Sequence, residues 1–71
     1  MSRNISTYWS SDGSKAEVIF DFKEEMAYIE YYDNNGNRFF TEEFPNKSIR
    51  YVEDAAENWA EGIKILELKN G

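Results

Sequence analysis

The chain has 71 residues and a net charge of −6, and 41% of its residues are hydrophobic and 17% aromatic. This length predicts one domain, and the hydrophobic content is too high for an intrinsically disordered chain. Histidine and cysteine are both absent, which excludes disulfides, imidazole-activated nucleophiles and the usual ligand sets of zinc, copper and haem iron.

The N-terminal part of the chain is polar and rich in serine. Within residues 1–14, ISTYWS alternates in the manner of an edge strand, and SSDGSK contains Asp-Gly, a strong signal for a hairpin turn. The expected organisation is a polar N-terminal segment over 1–14, with a candidate edge strand, followed by a single α+β domain over 15–71.

Three further stretches have the two-residue period of β-strands: KAEVIFDF, MAYIEYYD and RFFTEEF. The polar stretches KEE and DNNGN separate them as turns, and Pro45 ends the last strand because proline has no N–H to donate. The alternation puts Phe22 on the same face as Phe20. If the inward face carries Phe20, Ile29, Tyr31 and Phe40, the outward residues are Ile19, Tyr28, Tyr32 and Phe39.

The apolar period changes to that of a helix after Ser48, which is a good N-cap residue. Glu53 and Asp54 are expected near the positive end of the helix dipole, and Gly62 at a left-handed C-cap. The apolar stripe consists of Ile49, Val52, Ala56, Trp59 and Ile63, with Ala55 and Ala60 beside it. The alanines allow the helix to approach the sheet closely, and Trp59 fills the space between the two layers.

Two interpretations fit IKILEL, which begins at Ile63. It either extends the helix through Leu66 or forms a short final strand over 63–68, and the preceding glycine and the isoleucines favour the strand. The expected fold class is therefore α+β, an antiparallel meander of three to four strands packed on one C-terminal amphipathic helix.

No catalytic or metal-binding motif emerges from the sequence. Adjacent acids such as Glu42 and Glu43 point to opposite faces of a strand, and the i,i+4 pair of Glu53 and Glu57 is typical of a solvated helix face. DNNGNR has one glycine and does not join a strand to a helix, as a phosphate loop does. The same stretch also fails as a calcium-binding loop, because Phe44 stands at the position where such a loop has a bidentate glutamate. We expect a protein that is not an enzyme and holds no cofactor or metal.

The distribution of charge argues against direct binding of nucleic acid. The chain has fourteen acids and only eight lysines and arginines, and these cations are scattered singly along the sequence. The sequence therefore offers no cationic patch that could bind phosphates. No apolar run is long enough to span a membrane, and the first residues do not resemble a signal peptide. A cytoplasmic protein with a protein partner is expected.

The sequence resembles small uncharacterised accessory proteins of tailed phages that infect marine cyanobacteria. The resemblance covers residues 26–63 and rests on YYDNNG, EEFP and EDAAENW. The matching residues are Tyr31, Tyr32, Asp33, Gly36, Glu43, Phe44, Pro45 and Glu53 to Trp59. The resemblance implies a phage accessory protein acting in the host cytoplasm, and it carries over no functional residues.

Two surfaces are candidates for partner binding. The outward sheet face offers Tyr28, Tyr32 and Phe39, and aromatic side chains often anchor protein interfaces. The acidic side of the helix offers Glu53, Asp54, Glu57 and Glu61. The leading hypothesis is a non-enzymatic acidic protein that docks on a host protein and modulates it, with the sheet face favoured. The alternatives are an acidic nucleic-acid mimic that inhibits a host nucleic-acid-binding or defence protein, and a self-associating structural component such as a homodimer.

Overall fold

The computed structural model describes residues 2–64, which form a four-stranded antiparallel sheet with one helix on one face. Strands that follow one another in sequence are neighbours in the sheet, so the predicted α+β meander is confirmed, with four strands. The candidate edge strand is present as the first of them. The elements are β1 Ser2–Trp9, β2 Lys15–Asp21, β3 Met26–Tyr32, β4 Arg38–Phe44 and α1 Ile49–Ala60.

The turn between β1 and β2 is closed by an aspartate. The Asp12 carboxylate accepts hydrogen bonds from the backbone N–H and the hydroxyl of Ser14. Both bonds lower the pKa of Asp12, and the bond from the hydroxyl has the larger effect. Gly13 has φ +92°, and a Cβ there would lie 3.2 Å from the Cβ of Asn34 in the β3–β4 turn. The two turns therefore meet at the same end of the sheet, and the close approach favours glycine.

The core lies between α1 and one face of the sheet. The larger buried side chains of the sheet are Val18, Ile29 and Tyr31. The buried residues of the helix are Val52 and Ala56. α1 runs over the first three strands, with β2 at the centre of its contacts. Burial of apolar surface on this scale is the main favourable contribution to folding.

The helix begins and ends where the sequence predicts. The Ser48 hydroxyl accepts the backbone N–H of Tyr51, as in an N-cap. Gly62 has φ +81°, its N–H donates to the carbonyl of Trp59, and the N–H of Ile63 donates to that of Asn58. These two bonds form a Schellman motif, which satisfies carbonyls that the end of the helix leaves unpaired.

Several details differ from the sequence prediction. Ile63 is 68% exposed instead of extending the apolar stripe. The helix ends at Ala60, which rules out the less favoured alternative of an extension through Leu66. Glu53 and Asp54 lie beyond the first turn of the helix, which contains no acid, so they are further from its positive end than expected. The final strand predicted over 63–68 lies largely outside the described residues.

Tyr31 connects the two layers. Its ring is fully buried and lies 4.9 Å from the ring of Trp59, edge to face. Its hydroxyl donates to Glu42 Oε1 at 2.9 Å, and Lys64 Nζ contacts the other oxygen of Glu42 at 3.2 Å. This single side chain thus joins β3 to β4, to the helix and, through Glu42, to the segment after the helix.

We expect Trp59→Ala to lower the free energy of unfolding by about 3 kcal/mol, because it leaves a cavity against Tyr31. Chemical denaturation measures this loss. The matched control is Trp9→Ala, which removes the other tryptophan from a position that is 64% exposed and should cost less than about 1 kcal/mol. Equal losses in the two variants would contradict the packing described for Trp59.

Alkaline pH should destabilise the fold through Tyr31. Burial, and then the hydrogen bond to Glu42, raise the pKa of Tyr31 in the folded protein above its ordinary value near 10, so ionisation favours the unfolded chain. The stabilisation is complete below about pH 10 and is lost as the pH rises further. Between about pH 10 and 12, the free energy of unfolding should fall less steeply in Tyr31→Phe than in the wild type. Parallel slopes would refute the effect.

Candidate functional site

The sheet face opposite α1 carries a row of two aromatic and two cationic side chains. Trp9, Lys15, Tyr32 and Arg38 are cross-strand partners in register, one from each strand. Successive residues of a strand alternate between faces, so this register places all four on the open face. We call these four residues the Trp9 row.

Lys15 lies between the two rings of the Trp9 row. Its Nζ is 5.2 Å from the ring centroid of Trp9 and 5.0 Å from that of Tyr32, within the range of cation–π attraction. The same ammonium contacts Glu17 Oε2 at 2.8 Å. Lys15 is therefore held by three groups, and the two rings share one cation.

The other half of the row is fixed by Glu30. One of its oxygens accepts the hydroxyl of Tyr32 and the other accepts Arg38 Nη1, each at 2.9 Å. The bond to Glu30 is the largest cause that raises the pKa of the Tyr32 hydroxyl, ahead of desolvation and the nearby carboxylates. Glu30 lies directly opposite Glu17, and Arg38 and Lys15 balance this like-charged pair.

Trp9 is the more exposed of the row's two aromatic side chains. It is 64% exposed, whereas Tyr32 is half-buried and has its hydroxyl engaged. Trp9 lies in the regular part of β1, and its ring contacts the ammonium of Lys15 while most of its surface stays exposed. This is the geometry of a preorganised hydrophobic anchor.

Of the predicted sheet-face residues, the structure brings Tyr28 and Tyr32 together on the open face and separates Phe39 from them. The register of β3 and β4 shifts between Tyr31 and Tyr32, so Phe39 is an extra residue in β4. Its ring lies 6.2 Å from that of Tyr31, which belongs to the core under the helix. The placement of Phe39 on the open face was wrong, because a bulge breaks the two-residue alternation.

The predicted acidic surface of the helix is also divided. Glu53 is half-buried and accepts the hydroxyl of Ser6 in β1 at 3.0 Å, so it is a contact between the helix and the sheet. Asp54, Glu57 and Glu61 are exposed, and their spacings of three and four put them on one outward stripe. The exposed acidic surface is thus three carboxylates.

Sequence reasoning missed Trp9 as a site residue. The alternation of ISTYWS was visible, but it did not say which face the tryptophan takes or what lies beside it. The signal that was available is the Asp-Gly turn, because a tight turn there brings Trp9 opposite Lys15. The neighbour on the far side of Lys15, Tyr32, follows from the second hairpin.

Among residues 2–64, no group of three acidic side chains is arranged to hold a metal ion. Within the same range, the helix is too short and too polar to cross a membrane. Comparison of the chain with family models, curated protein sequences and solved structures gives no significant match.

The contrast between the two tryptophans is measurable by fluorescence. Trp59→Phe leaves Trp9 as the only tryptophan, and Trp9→Phe leaves Trp59. We expect Trp9 to emit at longer wavelength and to be quenched by acrylamide several-fold more efficiently than Trp59, because only Trp9 is mostly exposed. Similar quenching constants in the two variants would show that Trp9 is covered.

Proposed function

We propose that the chain is a non-enzymatic binding protein that docks on another protein through its open sheet face and modulates it. Trp9 is the anchor, and the ammonium of Lys15 contacts its ring. The resemblance of residues 26–63 to phage accessory proteins supports a partner in the cytoplasm of an infected host.

The observation that carries this proposal is the exposure of Trp9 together with its fixed surroundings. A large ring that is 64% exposed has apolar surface that water solvates poorly. Interfaces draw most of their binding energy from a few such residues, and tryptophan is strongly enriched among them. The cations and carboxylates beside Trp9 provide a polar rim that orients the partner.

An acidic nucleic-acid mimic is the second candidate, and the outward stripe of Asp54, Glu57 and Glu61 is the observation that favours it. Three of the five acids in the strands weigh against this function, because Glu17, Glu30 and Glu42 each contact a cation at 3.2 Å or less. Paired carboxylates imitate a phosphate backbone poorly. Docking through the Trp9 row therefore has the better support.

The experiment is affinity capture from a nuclease-treated lysate of a marine cyanobacterium, followed by a binding measurement with the purified partner. We expect Trp9→Ala to weaken that binding about thirtyfold, the loss typical of a central interface residue. Reversing the charges of Glu57 and Glu61 should have little effect, and binding should change little with salt.

Circular dichroism of both variants verifies that they are folded. If the charge reversals abolish binding and the wild-type complex dissociates at moderate salt, the mimic replaces the proposed function. If Trp9→Ala binds as tightly as the wild type, Trp9 is not the anchor.

A further inference from the structure

A second surface lies at the opposite end of the sheet from the Trp9 row. Arg3 of β1 pairs with Phe20 near the end of β2, whereas Trp9 pairs with Lys15 at its start. Beside Arg3 is an open cleft of about 390 Å³ between β1 and the beginning of α1. We call it the Arg3 cleft, and its lining residues are Arg3, Asn4, Ile5, Phe20, Phe22 and Ile49.

Exposed apolar side chains converge at this cleft. Ile5, Phe22 and Ile49 are all large hydrophobic residues with substantial exposure. Phe22, predicted to share the inward face of β2, lies just past the end of that strand, where it is 51% exposed and packs edge to face against Phe20 with ring centroids 5.1 Å apart. Such a cluster differs from singly scattered apolar residues, which need no explanation on a protein surface.

The charge of the Arg3 cleft is opposite to that of the molecule. The chain has 14 acids, yet no carboxylate lines the cleft, and Arg3 is its one charged residue. Among residues 2–64, no carboxylate lies within ion-pair distance of Arg3. The N-terminus of α1, at Ile49, adds the positive end of the helix dipole. An apolar group that carries a negative charge is the complementary ligand.

The free edge of β1 adjoins the cleft. In the part of the chain that the structure describes, β1 pairs with β2 on one side and with no strand on the other. Its register shifts between Asn4 and Ser6, so Ile5 is an extra residue that a bulge directs toward the cleft. From Ser6 to Tyr8 the strand is regular and its outer backbone groups are available to an added strand.

We propose that the β1 edge and the Arg3 cleft together bind an extended, acidic segment of a partner protein. The segment pairs with the regular part of β1, inserts a large apolar side chain into the cleft, and places a neighbouring carboxylate on Arg3. Strand addition of this kind obtains affinity from backbone hydrogen bonds and specificity from pockets for individual side chains. A small molecule fits less well, because sites for small ligands usually enclose roughly 70–90% of the ligand, and this cleft is open.

The test is selection of displayed random peptides on the immobilised full chain, followed by titration calorimetry with the winning peptides in synthetic form. We expect enriched peptides that combine a large apolar residue with an adjacent Asp or Glu. Arg3→Glu should weaken their binding at least about tenfold, because it replaces a charge-assisted contact with repulsion. Phe22→Ser should weaken it by a similar factor.

Three matched variants complete the design. Arg50→Glu makes the same charge change at the same end of the helix, and Phe39→Ser removes an exposed phenylalanine near the other sheet edge; neither residue lines the cleft. Trp9→Ala tests the open face. All three should bind the peptides like the wild type, and thermal melting verifies that every variant is folded.

Each other outcome overturns the inference. If no peptides are enriched, or if Arg3→Glu and Arg50→Glu weaken binding equally, the Arg3 cleft is not a peptide site. If binding depends on Trp9 instead, the peptides use the open face, which supports the proposed function while eliminating this one. Because Trp9 and the cleft are at opposite ends of β1, the failure of one proposal is distinguishable from the failure of the other.

Discussion

The packing of one helix onto one face of a four-stranded sheet depends on the burial of Tyr31. Its ring fills the space beneath Trp59, and its hydroxyl would be an unsatisfied polar group in the core without Glu42. Glu42 in turn contacts Lys64, so the segment that follows the Schellman motif is connected to the sheet. The polar end of one buried side chain therefore helps to hold β4 and the segment after the helix, while its ring supplies apolar contact.

A single helix leaves the other face of the sheet without a covering layer, and the open face is stabilised by its own side chains. Ile19 points to this face and is nonetheless buried, with Asn4 and Tyr28 as its cross-strand partners. In the next rows, opposite charges and aromatic rings contact one another across strands, an arrangement that stabilises small sheets. Trp9, at the edge of this face, keeps most of its surface in water, and this is why we assign it the role of anchor.

The two proposed surfaces use the same strand in different ways. At one end of β1, the open face presents a fixed aromatic ring with a polar surround. At the other end, the edge of the strand adjoins an apolar cleft whose charge is positive in an acidic molecule. Both arrangements follow from the position of β1 at the edge of the sheet, because an interior strand has neither a free edge nor a boundary with solvent at its side.

The sequence by itself determined three of the four strands, the helix, their order and the helix caps. Alternation with a period of two, the turns at Asp-Gly and Asn-Asn-Gly, Ser48 and Gly62 are local signals, and local backbone preferences follow from the identity of a few neighbouring residues. It also correctly predicted that Tyr28 and Tyr32 share the open face, since the strand alternation is regular there. The absence of histidine and cysteine limits the chemistry open to the chain whatever fold it adopts.

Only the tertiary structure decided which side chains form the candidate sites. The bulges at Ile5 and Phe39 break the alternation, and they depend on register between strands, which a single strand's sequence does not specify. Glu53 is not part of the exposed acidic surface, because its carboxylate accepts a hydrogen bond from Ser6, which is 47 residues away in sequence. The Trp9 row and the Arg3 cleft each combine residues from different elements. Both surfaces result from packing between segments that are distant in sequence. Local sequence patterns do not specify which residues of distant segments come into contact.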